Sequence, residues 1–169
     1  MHAERISASV VVGGVGHLYQ GDLDLGRLAV DRLAVEDLGP RVVVEDFSYG
    51  AVAVTQRLEE LRPEVLVLVG AKQRGRPPGT VERWDVVALP RTAAETQLSV
   101  ADAVTGYIDL DLVLDVAQGL GALPARTVMI DVEPARTEPA TELSPEATIA
   151  LEHALELVRD ELRRACAPA

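Results

Sequence analysis

The stretch Val10–Val30, VVVGGVGHLYQGDLDLGRLAV, decides the fold. A β-branched apolar run breaks at Gly13-Gly14-Val15-Gly16, passes an acidic pair, Asp22 and Asp24, and enters a helical pattern at Leu25. A continuous apolar run marks a strand buried on both faces of a parallel sheet. Glycines at its carboxyl end, with carboxylates delivered to a helix start, are a common way to build a site. Leu23 sits between the two acids and puts an apolar side chain inside that loop.

Working outward, the elements alternate. Ala8–Val12 reads as a strand and Leu25–Leu38 as a helix, with Gly26, Ala29, Val30, Leu33 and Ala34 on one face and Arg27, Asp31, Arg32 and Glu36 on the other. Gly39-Pro40 ends it, and Arg41–Glu45 is a Val-rich second strand. Ala51–Leu61 is a helix with Ala51, Val54, Leu58 and Leu61 inward, stopped by Pro63, and Glu64–Val69 is a third strand. This β-α-β-α-β succession predicts a mostly parallel sheet with helices on both faces. Lys72–Gly79 is a basic Pro/Gly-rich loop, and Thr80–Val87 alternates as an edge or antiparallel strand. Pro90–Gln97 reads as an exposed loop, followed by helices over Ser99–Tyr107 and Leu110–Leu120, and Arg126–Val132 as a further strand. Glu133–Glu142 is a polar surface loop. Ser144-Pro145-Glu146 combines a hydroxyl N-cap, proline at the first helical position and an acid in the first turn, so it opens a last helix to about Ala165. The predicted architecture is α/β: three α-β-α layers around a mostly parallel sheet of about five strands, one domain over 1–169, with loose ends at 1–5 and 166–169.

Hydrophobic residues make up 48% of the 169, enough for a sizeable core, but aromatics are only 3%, so that core is Val, Leu, Ala and Ile. A net charge of −11 argues against nucleic acid and against an anionic membrane surface as partners. Apolar runs are strand-length, well short of the roughly 20 residues that span a bilayer. Met1-His2-Ala3-Glu4-Arg5 lacks the apolar stretch of a secretion signal, and the lone Cys166 allows no intrachain disulfide. These features point to a soluble, cytoplasmic protein.

Several motifs in order carry a family resemblance. Gly14-Val15-Gly16-His17-Leu18-Tyr19-Gln20-Gly21-Asp22-Leu23-Asp24-Leu25-Gly26 resembles the G-[IV]-G-N-x-L-x-x-D-[DE]-x-x-G opening of the [NiFe]-hydrogenase maturation proteases. Pro78-Gly79-Thr80 matches a P-G-T after the third strand, Gly121-Ala122-Leu123-Pro124 a G-x-x-P before the last. Ile130-Asp131-Val132-Glu133-Pro134 resembles that strand's G-[IV]-x-P end, and Leu143-Ser144-Pro145-Glu146 the L-[ST]-P-x start of the final helix. The resemblance implies a phosphorylase/hydrolase-like three-layer fold, and an endopeptidase that trims the C-terminal extension of the hydrogenase large subunit. It also implies nickel bound by three side chains, whose positions here are Leu23, Gly70 and, near the histidine position, Gly106 or Tyr107 (Thr96 if the alignment slips). No histidine lies between His17 and His153, and no acid between Glu64 and Glu82.

With these positions departed, the resemblance leans to a protein that binds a hydrogenase large subunit or maturation factor without cutting it, and that needs no cofactor. The alternative is an active metal-dependent endopeptidase with a rebuilt site at His17, Asp22, Asp24 and Asp46, with Glu45 nearby, holding nickel or zinc. Asp22 and Asp24 read equally as acids at a helix start, and His17 as a loop hydrogen-bonding residue. The family's D-G-G-T-x-G recognition stretch is Glu45-Asp46-Phe47-Ser48-Tyr49-Gly50 here, making Phe47, Ser48, Tyr49 and Gly50 the partner-binding candidates; Phe47 packs in the core or joins Tyr49 in an exposed apolar spot. The basic run Lys72-Gln73-Arg74-Gly75-Arg76 is a solvated loop or meets an acidic partner surface. A nucleotide-binding domain is a rival from another class. It fits Gly14-x-Gly16, but position 19 is Tyr19 instead of the third glycine, and Asp22 and Asp24 would repel phosphate. An unrelated interaction domain on the same fold is the remaining alternative.

Overall fold

The computed structural model describes residues 8–167. Five strands, β1 Val10–Val15, β2 Val42–Asp46, β3 Val65–Ala71, β4 Val81–Val86 and β5 Arg126–Val132, form one sheet in the order β2-β1-β3-β5-β4. The pairs β1–β2, β1–β3 and β3–β5 are parallel, and β4 closes the edge antiparallel to β5. Val12 pairs with Val44 on one side and Val67 on the other, so β1 is central. Helices α1 Leu25–Leu33 and α5 Pro145–Ala165 cover one face; α2 Ala51–Leu61 and α4 Leu110–Gly119 cover the other, with α3 Ala93–Val104 outside α4. The period-2 alternation of β1 divides its side chains: Val10 and Val12 join α1 and α5, Val11 and Val15 join α2 and α4. This is the expected three-layer α/β architecture.

The glycines of the opening stretch are packing devices. A Cβ at Gly14 would lie 2.1 Å from the Gly26 carbonyl oxygen, and one at Gly26 would lie 2.2 Å from that of Val15. Helix α1 therefore rests on β1 backbone to backbone. On the other face, a Cβ at Gly13 would enter the ring of Phe47 at 2.1 Å. The strand does not stop at these glycines, as expected from Ala8–Val12, but runs through them to Val15.

Three other expectations need correction. Helix α1 ends at Leu33 instead of Leu38, because Ala34 and Val35 are exposed and bury nothing that would hold further turns. The expected loop Pro90–Gln97 is half helix: Thr92 and Glu95 form a capping box, with Thr92 Oγ1 accepting from Glu95 N at 3.1 Å and Glu95 Oε2 accepting from Thr92 N at 3.2 Å. Helix α3 then ends at Val104, before Gly106 turns the chain with φ of 87°. The loop 133–142 is not simply a surface loop, since Glu133 and Pro134 are buried. The expected loose ends 1–5 and 168–169 lie outside the described residues, while Cys166 N–H closes the last turn of α5 on the Leu162 carbonyl at 3.0 Å. Among the described residues, no helix is long and apolar enough to cross a membrane.

Candidate functional site

The chain leaves β1 toward β2 on one side and returns to β3 on the other, so the carboxyl ends of β1 and β3 flank the point where strand order reverses. In open α/β sheets that crevice is the usual ligand site. A cleft of about 490 Å³ opens there. His17, Gln20 and Leu23 line it from the loop after β1, Ala71, Lys72 and Gln73 from the end of β3, and Tyr107 and Asp109 from the turn before α4. A second hollow of about 400 Å³ adjoins it through His17 and Gln20 and reaches Arg27, Asp46, Ser48 and Tyr49.

The loop after β1 is tightly fastened. His17 N–H donates to the Leu23 carbonyl at 3.0 Å, and Gln20 N–H to that of His17 at 3.1 Å. Tyr19 adopts a left-handed conformation, φ 64°, and its carbonyl accepts from Ala140 N–H at 3.0 Å. Asp22 is fully buried beneath. Its carboxylate accepts from Ala135 N (2.8 Å), Arg136 N (2.8 Å), Ser144 N (2.7 Å) and Ser144 Oγ (2.7 Å). Burial alone would push its pKa up, but these donors outweigh that and hold it below the usual carboxylate range. Asp22 thus staples the first loop to the start of α5.

Of the four acids and the histidine expected as a rebuilt site, His17 and Asp46 share the second hollow, while Asp22, Asp24 and Glu45 are not among the residues that line it. Asp22 is sealed off as described, and neither it nor Asp24 caps a helix start through its side chain. Asp24 instead takes Arg27 Nε at 2.9 Å and 3.1 Å in a forked ion pair. Asp46 Oδ1 accepts from Ser48 N at 2.9 Å, and Ser48 Oγ in turn accepts from Gly16 N at 2.9 Å. Glu45 pairs with Arg57 at 2.5 Å. Only His17 faces the main cleft, its ring 6.3 Å from that of Tyr107. Phe47 is core, not an exposed spot: it is fully buried against Gly13, while Tyr49 stands 55% exposed beside it. Gly50 precedes α2 with φ of 135°.

The basic loop is not a solvated patch of free charges. Its alternate residues turn onto five carboxylates, those of Asp109, Asp111, Asp131, Glu133 and Glu82. Lys72 Nζ lies 2.6 Å from Asp109 Oδ2 and 2.9 Å from Asp111 Oδ2. Arg74 pairs with Asp111 at 2.7 Å and with buried Asp131, and Arg76 reaches Asp131 at 2.7 Å and Glu133 at 3.1 Å. Burial works against the Lys72 charge, but the hydrogen bonds of Asp109 and Asp111 prevail and raise its pKa. Both aspartates are held below the usual range despite their own burial, Asp109 by Lys72 and Tyr107, Asp111 by Arg74 and Lys72. Tyr107 Oη donates to Asp109 Oδ2 at 2.7 Å, and Asp109 Oδ1 caps α4 at Leu112 N, 2.8 Å. Sequence reasoning missed Asp109 as a cleft residue. An acid before an apolar helix signalled the cap, but nothing local signalled Lys72, 37 positions away.

No family model and no curated protein matches the sequence. Solved structures do. A hydrogenase 2 maturation peptidase from a Thaumarchaeota archaeon is 26% identical over 90% of this chain and 97% of its own, with a TM-score of 0.65. The chain therefore resembles a hydrogenase maturation peptidase along nearly its whole length. The hydrogenase maturating endopeptidase HybD from E. coli shares the fold at 23% identity, covering 93% of each chain with a TM-score of 0.68. So does the maturation protease HycI from Thermococcus kodakarensis KOD1, at 19% identity over 92% of this chain and 93% of its own, TM-score 0.59.

The family resemblance implies a divalent metal, and the residues present do not suit one. Leu23 and Ala71 bring only carbon to the cleft, while Lys72 brings a positive charge. Gly70 stays in β3, where a Cβ would press the Val15 carbonyl at 2.7 Å, and Gly106 lies in an open turn. Among the described residues, no three His, Cys, Asp or Glu side chains converge as metal ligands.

Proposed function

We propose that this protein acts in hydrogenase maturation by binding. It takes a segment of a hydrogenase large subunit, or of a maturation factor, on the rim at the carboxyl ends of β1, β2 and β3, and leaves it uncut. The observation that carries this is the cleft itself: a chain matching a maturation peptidase over 90% of its length presents Leu23, Ala71 and a clamped ammonium at the strand ends. The surrounding rim suits recognition. Leu18, Tyr49 and Tyr107 are all more than half exposed around the two hollows, and tyrosines are frequent binding anchors. Ser48 and Gly50 shape the β2–α2 turn that presents Tyr49.

The test is to incubate the purified protein with a nickel-loaded large-subunit precursor and with maturation factors. Co-elution with one of them in size-exclusion chromatography, with the precursor mass unchanged, is the expected result. Clean removal of the precursor's C-terminal extension would refute the uncut reading, and co-elution with none would refute the binding role.

A further inference from the structure

The cleft contains a cation already. The Lys72 ammonium projects from the end of β3 between the carboxylates of Asp109 and Asp111, at 2.6 Å and 2.9 Å. Every oxygen of those two acids is engaged. Asp109 Oδ1 accepts from Leu112 N and Oδ2 from Lys72 and Tyr107; Asp111 Oδ1 accepts from Arg74 and Oδ2 from Arg74 and Lys72. A metal ligand must offer a free lone pair at about 2.0–2.2 Å, and each of these acids has already committed three of its roughly four lone-pair sites to protein donors. A divalent ion entering the cleft would also meet the Lys72 ammonium at close range. His17 is the single imidazole on the cleft wall, and one imidazole does not hold such an ion.

We propose that the Lys72 ammonium is the resident cation of this cleft, set where a divalent metal would otherwise lie, so that nickel and zinc are excluded and ligand binding is metal-independent. The proposal rests on the family reading above only for expecting a metal there. An ammonium tethered to β3 does the structural work of a bound ion: it joins the end of β3 to the turn before α4 and fixes the cleft's width. It has three N–H groups, two of them directed at Asp109 and Asp111, so the third can donate to a carbonyl or carboxylate of an incoming chain.

Calorimetric titration of the full chain with nickel and zinc chloride tests this. The wild type should show no saturable site that Asp109→Asn removes. Lys72→Met removes the charge and keeps the stem; its zinc affinity should exceed wild type by about tenfold or more, and adding Asp109→Asn should abolish the gain. Lys72→Arg keeps the charge and should behave as wild type. A saturable nickel or zinc site in the wild type that weakens at least about tenfold in Asp109→Asn would overturn the proposal. A folded Lys72→Met with no gain would overturn it as well. Should Lys72→Met fail to fold, the wild-type and Lys72→Arg titrations decide alone. Metal affinity is read separately from partner binding, so either can fail without the other.

Discussion

Asp22→Asn probes the staple beneath the cleft. The carboxylate receives four hydrogen bonds, three on Oδ2 and one on Oδ1. Asparagine has one acceptor oxygen. Placed at the Oδ2 position it keeps three donors, all now bonded to a neutral atom, and its NH₂ then faces the Ser144 N–H. The loss is one charge-assisted bond plus a pair of opposed buried donors, together about 3–5 kcal/mol. That is a large part of the roughly 5–15 kcal/mol that stabilises a typical domain. The pH dependence has a definite sign. The folded pKa lies below the unfolded value of about 3.9, so the contribution is complete above that value and lost as pH falls through the folded pKa. Urea unfolding of wild type and variant should therefore differ by a constant amount between about pH 5 and 7, and the gap should close below about pH 4. A gap under about 0.5 kcal/mol at neutral pH, or one that persists unchanged to about pH 2, would refute the reasoning.

Two further substitutions separate packing from recognition. Gly14→Ala drives a methyl into the Gly26 carbonyl and should cost more than about 3 kcal/mol in chemical denaturation; a loss below about 1 kcal/mol would mean α1 does not rest on β1 as described. Phe47→Ala should cost about 3–5 kcal/mol, whereas Tyr49→Ala should change stability by less than about 0.5 kcal/mol while weakening partner binding in the co-elution assay; equal stability losses would contradict their different burial.

Much of the framework was legible along the chain because its signals are local. The bounds of α2 and β5, and the start of α5, follow from apolar period, proline and cap chemistry within a few residues. The start of α3 was also written locally, in Thr92 and Glu95, and was lost to the exposure of its neighbours. The functions of Asp22 and of the basic loop were not legible. Asp22 stands beside a helix start, yet its donors come from positions 113 to 122 residues later. Lys72, Arg74 and Arg76 look like a solvated basic patch, yet apart from Glu82 their side-chain partners lie 37 to 57 residues away.

By itself, then, the stretch Val10–Val30 determined a buried parallel strand, a following helix and a loop at a site-bearing strand end. These depend on side-chain size and period, which neighbours in sequence carry. Only the tertiary structure decided what fills that site. A buried carboxylate is committed by whichever donors the fold brings to it, and an ammonium by whichever acids surround it. The cleft that places Leu23 and Ala71 around a clamped Lys72 exists only when β1, β3 and the start of α4 meet.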